Sequence, residues 1–446
     1  MESILITGAS GFIGSFIVEE ALKRKFGVWA GIRSTSSKRY LKNRKIHFLE
    51  LDFAHPNELR AQLSGHKGTY NKFDYIIHCA GVTKCPDKHS FDYVNYLQTK
   101  YFIDTLKELN MVPKQFIYIS TLSVFGPVRE KDYTPIKADD PAVPNTAYGL
   151  SKLKAELYIQ SMPGFPYVIY RPTGVYGPRE ADYYLMAKSI RKHVDFSVGF
   201  RRQDLTFVYV KDIVQAIFLG IEKNVTRRTY FLTDGNVYKS RAFSDLIQKE
   251  LGNPFVLHLK CPLIVLKVIS LLAEFIATRS GKSSTLNSDK YKIMKQRNWQ
   301  CDIIPTINEL GYAPEYDLEK GVHETIAWYK NEGWLLDLFK RVETRKGLFA
   351  VEKITLIYNL LTSILILFLF QRMDHPWHML LDRAMIAAMT FLLMYLYRLL
   401  PVRFSAFVRI VIQMSLLSYW YPDTFEFQPV LSESGSCLRY HRTVYF

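Results

Sequence analysis

The chain has 446 residues, of which 48% are hydrophobic and 14% aromatic, and its formal net charge is +16. That length exceeds what one core needs, so two or more domains are expected. The basic residues are dispersed and form no nucleic-acid-binding motif, so the charge favours a phosphorylated cofactor or an anionic membrane surface over nucleic acid. The five cysteines have no zinc-like spacing, so we expect no metal site and reduced thiols in the cytoplasm.

The first 180 residues alternate strand-like and helix-like runs. The strand-like runs are SILIT, VWAGI, IHFLELD, FDYIIHCAG, QFIYIS and YVIYRP. This order predicts an α/β fold, a Rossmann-type doubly wound parallel sheet in residues 1–180. Residues 181–335 are expected to form a small α/β substrate-binding lobe, and part of 181–240 to complete the sheet.

The last quarter of the chain is strongly apolar. A basic juxtamembrane linker at 336–353 precedes an uncharged apolar run at 354–370, which is near the minimum length for a spanning helix. Further apolar runs extend this pattern, so we expect two or three transmembrane helices within 354–421. The flanking cations, and the absence of a signal-peptide pattern at the start, predict a cytoplasmic-membrane protein with its N-terminal part on the cytoplasmic side. Residues 422–446 are expected to be a tail, either the product of a frameshift or a genuine short tail.

The sequence TGASGFIG closes the first predicted strand and opens a helix. Glycines at this spacing let the backbone turn tightly and approach a pyrophosphate, while the helix N-terminus supplies amide donors. A tight turn without a ligand is the alternative. The expected cofactor contacts here are Gly8, Ser10, Gly11, Phe12, Ile13 and Gly14.

The end of the second predicted strand suggests which dinucleotide is bound. A site for NAD usually has an acid here to hold the ribose 2′-hydroxyl, whereas this chain has Arg33, Ser34 and Lys38. Cations and hydroxyls suit a 2′-phosphate, so NADP(H) is favoured and NAD(H) is the alternative. If these residues have no role in binding, they form an ordinary solvated loop. Further contacts are expected at Asp52, Phe53, Ala80 and Gly81.

The sequence NTAYGLSKLKA places Tyr148 and Lys152 on one helix face. An ammonium near a phenol favours the phenolate, so we expect Lys152 to lower the pKa of Tyr148 and make it a proton donor and acceptor near neutral pH. Lys152 is also expected to bind the cofactor ribose. A hydroxyl from YISTLSVFG should hold the substrate oxygen, and Thr121 is the best placed, with Ser120 and Ser123 as neighbours.

Residues 1 to about 335 resemble the extended short-chain dehydrogenase/reductase family, which includes NAD-dependent epimerases and dehydratases and 3β-hydroxysteroid dehydrogenase-like enzymes. The resemblance rests on TGASGFIG, HCAG, YISTLSVFG, YGLSK, YRPTGVYGP and FVYVKDIVQAI. It implies an NAD(P) cofactor and a homodimer. It also implies a catalytic set of Thr121, Tyr148 and Lys152 with Asn95. Finally, it places Pro172, Thr173 and Gly174 beside the nicotinamide.

The substrate is inferred from the apolar segments of the chain. The apolar run 261–281 suits a lipid tunnel, an interfacial helix or a core helix. LLSYWYPDTFEF resembles the early membrane segment of lipid phosphatase-like proteins. Together these features predict a membrane-anchored NADPH-dependent reductase of a lipid ketone, 3-ketosphinganine or 3-oxo-ceramide, in bacterial sphingolipid synthesis. The alternatives are a nucleotide-sugar epimerase or dehydratase using NAD, and a non-catalytic NADPH-binding membrane scaffold.

Overall fold

The computed structural model describes residues 1–85, 87–279 and 286–335, with the backbone alone at 276–278. The strands are β1 (Ser3–Thr7), β2 (Gly27–Ile32), β3 (His47–Glu50), β4 (Tyr75–His78), β5 (Gln115–Ile119), β6 (Tyr167–Pro172), β7 (Gly174–Tyr176), β8 (Val194–Val198), β9 (Asp204–Leu205), β10 (Phe207–Tyr209), β11 (Arg228–Leu232), β12 (Tyr238–Lys239) and β13 (Leu257–Cys261). The helices are α1 (Phe12–Lys23), α2 (Pro56–Tyr70), α3 (Lys88–Phe91), α4 (Gln98–Glu108), α5 (Ala147–Ser161), α6 (Asp182–Arg191), α7 (Val210–Glu222), α8 (Ala242–Glu250), α9 (Leu263–Arg279), α10 (Ser288–Lys295), α11 (Ile304–Leu310) and α12 (Leu318–Asn331). A π-helical segment, Asp92–Leu97, joins α3 to α4, and a 3₁₀ turn, Leu122–Val124, follows β5.

Seven parallel strands form the main sheet in the order β11-β6-β5-β4-β1-β2-β3. The chain builds outward from β1 through β2 to β3, then returns to β4 on the other side of β1. The direction of winding therefore reverses between β1 and β4. Open α/β sheets bind ligands in the crevice at the carboxyl ends of the strands that flank such a reversal.

The sheet is buried on both faces. Along β1, Ile4 and Ile6 pack into a core cluster with α1 and α7, whereas Leu5 points into a second cluster with α2, α4 and α5. Side chains alternate between the two faces of a strand, so a continuous apolar run is what a doubly covered strand requires. The α/β fold with a parallel Rossmann-type sheet that the sequence predicts is confirmed.

A smaller lobe follows β6 and has its own aromatic core. Its strands form three two-stranded sheets, in which β7 pairs with β10, β9 with β12 and β8 with β13. Tyr176, Phe207 and Phe243 are buried together with residues of α12. The chain returns from this lobe to the main sheet at β11.

The membrane predictions fall largely outside the described residues. Within residues 1–85, 87–279 and 286–335, no helix is long and apolar enough to cross a membrane. The basic linker, the runs predicted to span within 354–421, the phosphatase-like segment and the proposed frameshifted tail all lie beyond residue 335, outside the part that the structure describes.

Candidate active site

The glycine-rich turn lies at the reversal point of the sheet. Gly8 follows β1 with a φ of +65°, and a Cβ on it would lie 2.8 Å from the backbone nitrogen of Ala80, which follows β4. A Cβ on Gly14 would overlap the carbonyl oxygen of Gly8. The two loops and the first turn of α1 therefore touch through bare backbone, which explains why glycine is needed at both positions.

Helix α1 presents an uncapped N-terminus to this crevice. Its N-cap, Gly11, has no side chain to accept a hydrogen bond from the first turn. The half-buried side chains of Phe12 and Ile13 pack against the core, next to half-buried Ser10, and their backbone amides start the helix. Free amides at the positive end of a 12-residue helix form a site for a phosphate anion.

The end of β2 carries cations and no acid. Arg33 directly follows the strand and is exposed, and its backbone amide donates to Ser36 Oγ at 3.0 Å. Ser34 and Lys38 are also exposed, but the Lys38 ammonium lies 4.3 Å from the centre of the Phe48 ring on β3. The loop thus offers a guanidinium and a hydroxyl at the strand end, with Lys38 held against an aromatic ring.

Asp52 and Phe53, which follow β3, both make contacts within the protein. The Asp52 carboxylate accepts from Ala54 N at 2.9 Å and lies 2.9 Å from His55 Nδ1, an interaction that lowers the pKa of Asp52 and raises that of His55. Phe53 packs edge-on against Phe102 and His78 in the core. Of Asp52 and Phe53, only Asp52 therefore has a half-exposed polar group that a cofactor can contact.

Thr121 and Tyr148 meet at the carboxyl end of β5. The Thr121 hydroxyl lies close enough to the phenol of Tyr148 to lower its pKa, and Thr121 Oγ1 accepts from Ser123 N at 3.2 Å. Tyr148 is placed by the start of α5, where Thr146 caps the helix and Asp289 Oδ2 accepts from the backbone amides of Ala147 and Tyr148. The two hydroxyls can thus contact one oxygen of a substrate.

Lys152 lies one turn further along α5 and is only 5% exposed. Its ammonium is 4.2 Å from the centre of the Tyr118 ring, and a Cβ on Gly81 would lie 3.9 Å from it. Burial lowers the pKa of Lys152 to about 8, although the charge of Glu156 opposes the shift. Lys152 and Gly81 are thus neighbours at the crevice, where the sequence predicts a ribose contact.

In the protein alone, the pKa of Tyr148 is raised and not lowered as the sequence predicts. Burial raises this pKa to about 12, and the neighbouring Thr121 hydroxyl offsets only part of that rise. No hydrogen bond joins Tyr148 to Lys152 among the described residues. In the protein alone, desolvation of the phenol outweighs any help from the ammonium, so Tyr148 is a neutral phenol at pH 7.

Asn95 fastens the loop after β4 to α5. Its side chain accepts from Val82 N at 2.8 Å, and it donates to Val82 O and to Ser151 Oγ, each at 3.0 Å. Ser151 Oγ in turn donates to Tyr148 O at 2.8 Å. Asn95 lies in the π-helical segment, an irregularity often found at functional sites. Asn95 therefore positions the backbone of Tyr148.

His78 extends this network to the glycine-rich turn and was missed by sequence reasoning. Its Nδ1 lies 2.8 Å from Thr7 Oγ1 and its Nε2 lies 3.1 Å from Thr99 Oγ1, which donates to Asn95 O. Burial lowers the pKa of His78 to about 3, so the ring is neutral. Because Thr99 uses its proton on Asn95, the network assigns the ring proton to Nε2. The sequence feature that could have indicated His78 is its position as a polar residue at the end of the apolar run YIIH.

Two buried hydroxyls in the crevice have no partner among the described residues, Ser120 Oγ and Thr173 Oγ1. Thr173 follows Pro172 at the end of β6, and a Cβ on Gly174 would lie 2.9 Å from the Tyr183 hydroxyl. Buried polar atoms without partners indicate space for a polar group of a ligand. Together with the uncapped helix and the Gly8 turn, they fit a dinucleotide cofactor.

Comparison with known proteins identifies the family of the chain. Residues 4–232 match the family model described as the NAD dependent epimerase/dehydratase family. The chain is 29% identical over 346 residues to a Bacillus subtilis protein named uncharacterized UDP-glucose epimerase YtcB, with 73% of this chain and 97% of that protein covered. It is 24% identical over 355 residues to the yeast sterol-4-alpha-carboxylate 3-dehydrogenase ERG26, with 74% and 98% covered.

The fold also matches a solved dTDP-glucose 4,6-dehydratase from Bacillus anthracis in complex with NAD, with a TM-score of 0.59 and 18% identity over 75% of this chain and 98% of that one. The chain belongs to the NAD dependent epimerase/dehydratase family. It is therefore an enzyme of the extended short-chain dehydrogenase/reductase type with a nicotinamide dinucleotide as cofactor.

The predicted reduction of a sphingoid ketone is wrong. The matching proteins include UDP-glucose epimerases and dTDP-glucose dehydratases, which act on nucleotide-linked sugars according to their names. The sequence interpretation relied on apolar runs that lie mostly outside the family match, and the epimerase or dehydratase alternative agrees better with the relatives.

Proposed function

We propose that this protein is a nucleotide-sugar epimerase. The observation that carries the proposal is the site at the end of β5, where the Thr121 and Tyr148 hydroxyls are neighbours on the side of a buried Lys152. The two residues after Thr121 are Leu122 and Ser123. Elimination of water from a sugar needs a positioned acid and base, and this turn has no carboxyl group. The site therefore favours inversion of a hydroxyl over dehydration.

The chain's own groups account for the proton transfers. A nicotinamide dinucleotide, when bound, supplies the hydride acceptor and donor. Tyr148 takes the proton of the sugar hydroxyl as a phenolate and returns it as a phenol, and Thr121 holds the same oxygen. Since the pKa of Tyr148 is about 12 in the protein alone, the phenolate needs a cation near it, and Lys152 is the ammonium one turn along the same helix face.

A cavity of about 400 Å³ supports an anionic substrate. It adjoins Asn145, three residues before Tyr148, and three lysines line it, Lys267, Lys292 and Lys295. Lys292 is 3.8 Å from Asp289 Oδ1, on the residue that anchors the start of α5. A cluster of ammonium groups of this kind suits the diphosphate of a nucleotide sugar, which carries charges that need compensation.

We further propose that the cofactor carries a 2′-phosphate, because Arg33 and Ser34 stand at the end of β2 where an acid would bind the ribose of NAD. A second candidate is net oxidation of a ring alcohol with release of reduced cofactor. The name of the yeast relative, a sterol carboxylate 3-dehydrogenase, describes such an oxidation. In that case Tyr148 would act only as a base.

The test uses the purified full-length protein with UDP-glucose, UDP-N-acetylglucosamine and UDP-glucuronate. Chromatography of the sugars measures epimerisation, and absorbance at the nicotinamide band measures net redox change. Epimers without net absorbance change support the first proposal, and absorbance change with a ketone product supports the second. Activity should be lost in Tyr148→Phe and retained in Tyr70→Phe, a matched change of a 58% exposed phenol on α2. Inertness toward every sugar nucleotide would overturn the epimerase proposal.

A further inference from the structure

The two-stranded ribbon of β8 and β13 has an apolar face that no other described part of the chain covers. Paired residues lie side by side, so Phe196 adjoins Leu259 and Val194 adjoins Leu257. Residues two apart share a face, which makes this face apolar throughout. Phe196 is 61% exposed and Leu257 is 50% exposed. The opposite face is polar and includes the pair Asp195 and His258, 3.1 Å apart.

Helix α9 also exposes apolar side chains. Leu266 and Ser270 face the protein, whereas the outward side is apolar: Val268, Leu272 and Phe275 are each more than 50% exposed. A surface helix normally turns its charged residues to the solvent. Here the side that faces out is the one that would ordinarily be buried.

The ribbon and the helix adjoin. Strand β13 ends two residues before α9 begins, Gly199 N donates to Cys261 O at 2.9 Å, and a Cβ on Gly199 would lie 3.6 Å from the Leu263 side chain. We call the combined surface the apolar platform. Its main residues are Phe196, Leu257, Leu259, Val268, Leu272 and Phe275. Soluble monomers rarely expose contiguous apolar patches of this kind unless they bind something there.

The margin of the platform is basic. Lys267 lies on α9, and the Arg279 guanidinium is 4.4 Å from the centre of the Phe275 ring, whereas Lys260 lies on the polar face of the ribbon. Glu274 is half-buried, and its carboxylate accepts from Ser288 N at 2.9 Å. An apolar centre with cations around it is complementary to an anionic bilayer, which offers hydrocarbon below a negative surface.

We propose that the apolar platform docks on an anionic membrane surface. The sequence of the run 354–370, which has no charged residue, is of a composition that favours contact with a membrane and so agrees with this choice. Lys267 also lines the lysine-lined cavity, so docking would set the candidate substrate cavity close to the headgroups. The proposal does not depend on which sugar the enzyme converts.

The experiment must report on the platform itself, because another part of the chain can also bind lipid. The full-length protein with Cys261→Ser and Cys437→Ser receives one new cysteine, Leu272→Cys, which carries an environment-sensitive fluorophore. The matched control is Ile304→Cys on α11, an apolar residue that is 61% exposed outside the platform. Vesicles of phosphatidylcholine with phosphatidylglycerol carry a spin-labelled lipid that quenches fluorophores at the bilayer.

The proposal expects quenching at position 272 and none at 304, with less quenching when phosphatidylglycerol is omitted. In Lys267→Gln, the lipid concentration that gives half-maximal quenching should rise by about fivefold. No quenching at 272, or equal quenching at both positions, would overturn the proposal. A fluorophore at 272 that is shielded from water without quenching would instead indicate a protein cover, either a second copy or the chain's own C-terminal segment.

Discussion

Arg171 and Glu156 form a buried bidentate ion pair beneath the active site. Arg171 Nη2 lies 2.6 Å from Glu156 Oε2, Arg171 Nε lies 3.1–3.2 Å from both carboxylate oxygens, and Glu156 is 0% exposed. Glu156 is one helical turn beyond Lys152 on α5, and its charge raises the pKa of Lys152 against the effect of burial. The pair thus joins β6 to the catalytic helix and tunes its lysine.

Glu156→Gln should destabilise the protein by about 3–5 kcal/mol, because it leaves the Arg171 charge buried without a partner. Urea unfolding of the variant and the wild type measures the difference. The double variant Glu156→Leu with Arg171→Met, which removes both charges, should recover most of the loss. If the double variant is as unstable as the single one, packing rather than charge explains the effect.

Lys152 should lower the stability of the protein at neutral pH. Its pKa is about 8 in the folded state against the ordinary 10.5, so the unfolded state binds more protons between these values and stability should rise with pH across that window. Lys152→Met should therefore raise the free energy of unfolding at pH 7 by up to about 3 kcal/mol while activity is lost. Unfolding at pH 7 and pH 10 tests this: a wild-type gain with pH that persists in the variant would contradict it.

Gly8→Ala should abolish cofactor binding. The φ of +65° is strained for alanine, and the new methyl group would press on the Ala80 backbone at 2.8 Å. The control is Gly68→Ala in α2, where a Cβ meets nothing within 4 Å, and which should raise stability by about 0.5–1 kcal/mol. Calorimetric titration with NAD⁺ and NADP⁺ and thermal unfolding of both variants provide the measurements.

Arg33→Asp should shift the cofactor preference toward NAD⁺. Hydrogen bonds to charged groups contribute about 1.5–3 kcal/mol, so NADP⁺ binding should weaken by about 10- to 150-fold. Arg44→Asp changes the same charge further along the loop and should have a much smaller effect. Equal losses in both variants would mean that the loop acts only through its overall charge, and the proposed 2′-phosphate contact would be withdrawn.

Local patterns were sufficient to predict the sheet, because it follows from strand order, whereas the grouping of Thr121 with Tyr148 came from the resemblance to a family. The pKa of Tyr148 could not be predicted in this way, since it depends on how deeply the phenol is buried. The roles of His78 and of the Glu156 pair depend on contacts between segments that are distant in sequence. The run 261–281 shows the same limit: its composition suits a core or a surface, and only the packing of α9 distinguishes them.

In the π-helical segment Asp92–Leu97, the number of residues determines the direction of the Asn95 side chain. A π turn holds one more residue than an α turn, and each residue of an α-helix advances the direction by about 100°. Deleting a single residue here would let an ordinary helix form and would turn Asn95 away from Val82 and Ser151. A change of one residue in this stretch should therefore disturb the structure more than the same change in an exposed loop.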